Sequence, residues 1–216
     1  MKNLKIESQL KIGFALLLFI VVVLGVVSFQ HANKLYEQTD IMYQHPLKVR
    51  SAIGQIENDI LKMRIGQRDL MLAKTEKEKQ DAILLMNISA THAISQFDIL
   101  SKQYLGPHSD IDEAYNAFIS WDKIREENAK LALSGNIEQV KKNLLPTGEV
   151  GIYREKMMTQ IKEVDDYAVN KAETLYVNSK QLKDSLNNQL IFLVLTIFLL
   201  SSFIFYFQEL INHWLK

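Results

Sequence analysis

The sequence predicts an all-α membrane protein, with two transmembrane helices flanking an extracytoplasmic up-down four-helix bundle. Three observations lead there. Two long apolar blocks without charge lie near the two ends of the chain. Between them, apolar residues recur at alternating steps of three and four. And with eight Gly and three Pro in 216 residues, the chain has little turn chemistry, which disfavours all-β folds and Gly-loop nucleotide folds. The 25 basic and 25 acidic side chains cancel, whereas a nucleic-acid binder normally carries a basic excess. Cysteine is absent, which removes disulfides, thiolate metal sites and cysteine nucleophiles together.

Taken in order, residues 1–11 form a short basic start, with Lys2, Lys5 and Lys11 set against Glu7. Residues 12–29 (IGFALLLFIVVVLGVVSF) carry no charge and form the first span. A helix needs about 20 residues to cross a ~30 Å hydrocarbon core, and in lipid a single helix must satisfy its own backbone. A cleaved signal peptide would have a shorter apolar stretch of roughly 7–15 residues and a small-residue cleavage site, so an uncleaved anchor is favoured. Residues 190–207 (LIFLVLTIFLLSSFIFYF) form the second span. The lysines place the N-terminus in the cytoplasm, residues 30–189 in the periplasm and the 208–216 tail back in the cytoplasm of a bacterial inner membrane. Tyr206 and Trp214 suit the inner interfacial belt.

The intervening segment reads as four long helices. The first stripe runs Val49, Ile53, Ile56, Ile60, Met63, Gln67, Leu70, and the second Ile83, Met86, Ala90, Ala93, Phe97, Leu100, Tyr104. The third runs Ile111, Ala114, Phe118, Trp121, Ile124, Asn128, Leu131. The fourth runs Tyr153, Met157, Ile161, Val164, Ala168 and on through Leu175 to Leu186. Such spacing marks near-parallel helices in a left-handed bundle. Thr75 and Glu78 form a capping box. Gly106-Pro107 ends the second helix, with Ser109 or Asp110 expected to cap the third. Ser134-Gly135 ends the third helix, and a short helix is expected from Asn136 to Leu145. Pro46 should kink or break the first external helix near His45, because it lacks a backbone donor. The fourth helix continues without Gly or Pro from Gly151 through the second span.

Several stretches look familiar. The opening MKNLKIESQLKIGFALLL resembles the start of bacterial methyl-accepting chemotaxis receptors. His45-Pro46-Leu47-Lys48-Val49, the run Met63–Leu72 with Arg68-Asp69, and Trp121-Asp122-Lys123-Ile124-Arg125 followed by Leu131 and Gly135 resemble elements of that group's four-helix-bundle sensor domain. Related segments also front sensor histidine kinases and diguanylate cyclases. The resemblance implies a sensory receptor, chemotaxis being the first expectation and a kinase or cyclase output the alternative. Members of the group continue into a HAMP linker and a signalling or catalytic domain. Only residues 208–216 follow the second block here, so output is expected to come from a missing segment or a membrane partner. A reading of another class is a scaffold that contacts a partner through the bundle.

Catalytic chemistry is not indicated. No two of the five histidines share helix spacing, and no phosphate-loop, GxSxG or HExxH pattern occurs, so no enzyme, metal or cofactor is expected. His45 and His92 are expected to make local hydrogen bonds, and Asp165-Asp166 to lie on a solvated face. A ligand site is expected near the distal end. At 1.5 Å per residue, Arg68, Arg125 and Arg154 fall within about one turn of the same level, with Trp121 and Tyr153 on inward stripes nearby. Converging guanidiniums with an aromatic wall could hold a small carboxylate or phosphate ligand. The resembling amino-acid receptors use distal arginines, to which Arg64 and Arg68 are the nearest counterparts. The competing reading pairs these arginines with neighbouring acids. The expected partners are the bilayer, a second copy in a homodimer, and a small anionic ligand or a periplasmic binding protein.

Overall fold

The computed structural model describes residues 6–214, all helix and connection, with no strand among them. Lys2 and Lys5 of the basic start, and the side chain of Trp214, lie outside the described residues. The helices are α1 (Ile6–Met42), a π-helical turn (Tyr43–Leu47), α2 (Lys48–Leu72), α3 (Glu76–Gln103), α4 (His108–Leu133), α5 (Ile137–Leu144) and α6 (Glu149–Trp214). They divide into two units, one of residues up to 40 and from 175 onward, the other of residues 41–174.

In the first unit α1 and the C-terminal half of α6 lie side by side. Ser179 Oγ donates to Gln38 Oε1 at 2.7 Å, and a Cβ on Gly13 would meet Ile204 Cδ1 at 3.3 Å. The large apolar side chains of both blocks, Phe14, Phe19, Phe192 and Phe198 among them, point outward and are well exposed. Three helical stretches are long and apolar enough to cross a membrane by length and composition: 11–72, 76–103 and 137–206. The middle one, α3, differs in that its most apolar window is 39 % buried, whereas those of the other two are 0 % buried.

The second unit holds that core. From α2 it takes every residue of the predicted stripe, Val49 through Leu70, all buried. Met86, Ala93, Phe97 and Leu100 of α3 meet Ile111, Phe118 and Trp121 of α4 and Met157, Ile161 and Val164 of α6. Phe97 packs on Phe118 at 5.5 Å and edge-on to Tyr115 at 5.4 Å between ring centroids. Pro46 does not break the chain. The helix widens into the π turn, which accommodates the missing amide, and the ring is buried. His45 Nδ1 donates to the Gln103 carbonyl at 2.9 Å, so its hydrogen bond joins two distant segments rather than being local. His92 likewise reaches across, to the buried carboxylate of Asp59. Asp165 accepts from Arg50 and Asp166 from Lys162, as a solvated face requires.

The helix ends follow local chemistry. Gly135 takes φ +84°, the left-handed conformation that lets α4 stop after Ser134. Pro107 occupies the N-cap of α4 without a side-chain bond, so neither Ser109 nor Asp110 caps it. Asp110 instead accepts from Tyr104 Oη at 2.8 Å, and burial together with this carboxylate pushes the Tyr104 phenol up, keeping it a donor. The capping box at α3 is complete. Thr75 Oγ1 accepts from the Glu78 amide at 3.2 Å, and Glu78 Oε2 accepts from the amides of Lys74 (2.6 Å) and Thr75 (2.9 Å).

Those backbone donors favour the carboxylate and hold Glu78 below its ordinary value of 4.5. A depressed folded-state value means a contribution present above the unfolded value and lost as pH falls through the folded one. Glu78→Gln should therefore lower the melting temperature near neutrality, and the difference from wild type should shrink as the pH falls below the ordinary carboxylate range and through the depressed folded-state value. Melting curves across that range, with a difference that persists undiminished at the acid end, would contradict this account of the cap.

Candidate ligand site

The distal half of α2 alternates two jobs. Ile60, Met63, Gln67 and Leu70 face the core, while Leu61, Arg64, Ile65 and Arg68 sit on the flank. That flank, Gln67, Trp121 of α4, Leu144 of α5 and Val150 and Arg154 of α6 line a half-open cavity of about 290 Å³. Arg64, Arg68, Trp121 and Arg154 thus line one pocket.

Its charges are unequal in their engagement. Arg68 Nη2 pairs with Asp69 Oδ1 at 3.2 Å, and Arg154 Nη2 with Glu155 Oε1 at 2.8 Å. Both are pairs between sequence neighbours with exposed carboxylates, a kind worth little to stability. Arg64 has no ion pair among the described residues. Its helix neighbours at three and four residues are Ile60, Leu61, Gln67 and Arg68, none of them acidic.

Behind the arginines lies an unusual polar floor. Gln67 is 4 % exposed, yet neither its amide nitrogen nor its oxygen has a hydrogen-bond partner in the protein. The indole nitrogen of Trp121, on a fully buried side chain, is likewise unpartnered. Buried polar groups are nearly always hydrogen-bonded, so these atoms, themselves closed to solvent, are a departure from that rule behind the cavity. Gln67 stands on the predicted apolar stripe but is not among the expected site residues, and its polarity there is the signal that singles it out.

Two expected site residues fall elsewhere. Arg125 is 1 % exposed and does not line the cavity. Its Nε donates to Asp122 Oδ1 at 2.7 Å, its Nη2 stands 3.8 Å from Glu126 Oε1, and it takes the core position expected for Ile124. Tyr153 is not inward: it is 37 % exposed and lines a separate groove of about 310 Å³ with Asn116, Ser120, Lys156 and Gln160. The inward register of α6 at this end is Val150, Arg154 and Met157, a step away from the predicted start. Asn128, on the α4 stripe, accepts from Asn143 Nδ2 at 2.9 Å and so fastens α5 beside the cavity. Among the described residues no group of three or more His, Asp or Glu side chains could hold a metal.

Comparison with known proteins adds one finding. Neither the curated proteins nor the solved structures give a match. A family described as four helix bundle sensory module for signal transduction matches residues 3–182, most of the chain and all of the cavity just described. The chain belongs to this family of four helix bundle sensory modules for signal transduction.

Proposed function

We propose that this sensory module is a membrane-anchored receptor that detects a small anion at the distal cavity. The observation that carries this reading is the convergence of Arg64, Arg68 and Arg154 on one cavity, with no ion pair on Arg64 among the described residues. Anion and guanidinium form strong charge-assisted bonds, and the low-dielectric floor of Trp121 and Val150 strengthens them. Metal or redox chemistry plays no part in the reading, and the module senses rather than catalyses.

The two apolar blocks serve as two spans of a bacterial inner membrane, with both termini in the cytoplasm and the bundle outside. Their outward-facing phenylalanines suit lipid, whereas α3 gives its buried face to the core and stays with the bundle. The up-down order is supported by cross-helix pairs whose numbers rise on one helix as they fall on the other. On the α3 side these are His45, in the π turn before α2, with Gln103 and Asp59 of α2 with His92, and on the α6 side Arg50 with Asp165 and, lining one cavity, Arg64 with Arg154. α6 carries cavity residues at its start and the second apolar block further on, without interruption. Ligand would bias α6 toward one of two offsets, by about 1–2 Å in known switches, and only to the extent that it binds one better. A second copy packed alongside in a homodimer completes the receptor, whose output serves chemotaxis or a kinase or cyclase.

The test uses the full chain in lipid nanodiscs. Thermal shifts with small carboxylates and phosphate should appear in wild type and be lost in Arg64→Gln. Equal shifts in both would remove Arg64 from the site. In sealed inverted membrane vesicles, complete digestion of residues 30–189 by protease added to the exposed cytoplasmic face would overturn the topology.

A further inference from the structure

The walls of the distal cavity are as informative as its charges. Of the nine side chains that line it, three are arginines and four, Leu61, Ile65, Leu144 and Val150, are aliphatic. Leu61 and Ile65 are four residues apart on α2, as are Arg64 and Arg68, so an aliphatic row runs beside a cationic one. Leu144 of α5 and Val150 of α6 add aliphatic carbon from two further elements. Leu61 is 50 % exposed and Ile65 36 %, so large apolar side chains stand in water next to the guanidiniums. An occupant that covers them gains stabilisation that a bare anion does not.

This division selects among anions. Inorganic phosphate or a dicarboxylate would press charged oxygens onto aliphatic carbon, where a charge without a partner is costly. Arg64 has no ion pair among the described residues, whereas engaging Arg68 or Arg154 gives up Asp69 or Glu155. One negative charge therefore suits the site best. An amino acid is disfavoured on other grounds. No carboxylate lines the cavity, so its ammonium would sit among three guanidiniums with nothing to balance it. The size, about 290 Å³, lies at the bottom of the roughly 300–1,000 Å³ range of small-molecule sites and limits the occupant to a few carbons.

Resting on the anion-receptor reading above, we propose that the ligand is a short aliphatic monocarboxylate. Arg64 holds the carboxylate, and the alkyl chain lies against Leu61, Ile65, Leu144 and Val150.

Titration calorimetry on the full chain in lipid nanodiscs tests this, with empty nanodiscs as the blank. The probes are acetate, propionate, butyrate, 2-aminobutyrate, succinate and inorganic phosphate. Affinity should rise about fourfold with each methylene from acetate to butyrate, the worth of one buried CH₂. Butyrate should also bind tighter than 2-aminobutyrate, succinate and phosphate. The double variant Leu61→Gln with Ile65→Gln keeps helix-forming side chains at two exposed positions, and circular dichroism checks that it stays folded. In it the butyrate-to-acetate ratio should fall from about sixteen to about four or below. Equal affinities along the series overturn the proposal, as does 2-aminobutyrate, succinate or phosphate binding as tightly as butyrate. A chain-length gain undiminished in the double variant overturns it too, because the gain would then arise elsewhere. In each of these cases anions still bind, and the anion-receptor reading stands. Binding of none of the six defeats both.

Discussion

Trp121→Ala should destabilise the bundle by about 3–5 kcal/mol, the range for deleting a large buried aromatic side chain. The indole is fully buried and lies 6.1 Å from the Phe118 ring, which in turn packs on Phe97. Removing it opens a void beside a cavity that already exists, so the neighbours have little reason to collapse inward. Trp121→Phe separates packing from recognition. It keeps most of the buried area and deletes an indole N–H that has no partner in the protein. Loss of an unmet donor is nearly free, so stability should stay within about 1.5 kcal/mol of wild type. Anion affinity tests whether that donor reaches the ligand, and a fall would show that it does. Urea unfolding followed by far-ultraviolet circular dichroism reads the first quantity and calorimetry the second. If Trp121→Phe leaves affinity unchanged, the indole is core and nothing more.

How much of this was legible follows from what a one-dimensional pattern can carry. A helix repeats every 3.6 residues, so a face buried along its whole length writes itself into the sequence, as Val49 to Leu70 did. Thr75 with Glu78, and Gly135 after Ser134, are contacts within a few residues and were equally readable. The errors arose where apolar periodicity does not carry the choice. Arg125 rather than Ile124 faces inward because Asp122, three residues back, supplies its counter-charge. Tyr153 looked inward only because the stripe of α6 was extended one step too far toward its start, where Val150 and Arg154 take over. The Asp59–His92 and His45–Gln103 bonds join residues far apart in sequence, and nothing in either local pattern announces them. Pro46 was flagged for the right reason, a missing donor, but a π turn resolves that loss as well as a break does. The cavity was half visible. Its arginines share a level along the bundle, which spacing gives, whereas the partner-free amide of Gln67 is a property of three helices and an absence of contacts.

Gly66→Ala should destabilise the protein, although the same change in an isolated helix would stabilise it by about 1 kcal/mol. A Cβ at Gly66 would lie 2.5 Å from Met86 Cγ and 3.0 Å from the Ala82 carbonyl oxygen on α3. The first contact is impossible for real atoms. The second is with backbone, which moves only if the helices separate. Overpacking of this kind costs about 1–3 kcal/mol, enough to outweigh the gain in helix propensity. Met86→Ala alone should cost about 2–5 kcal/mol, because the methionine is nearly fully buried. The two changes touch the same space, so the double variant should cost less than the sum by about 1 kcal/mol or more, within the range found for residues in contact. Strictly additive values in urea unfolding would show that the close approach of α2 and α3 does not depend on Gly66. The position bears on sensing too. Gly66 is the residue before Gln67, so pushing α2 away from α3 displaces the amide and the neighbouring Arg64 relative to Trp121. Gly66→Ala should therefore weaken anion binding more than its distance from the cavity wall suggests, and Met86→Ala should restore part of that loss as it restores part of the packing.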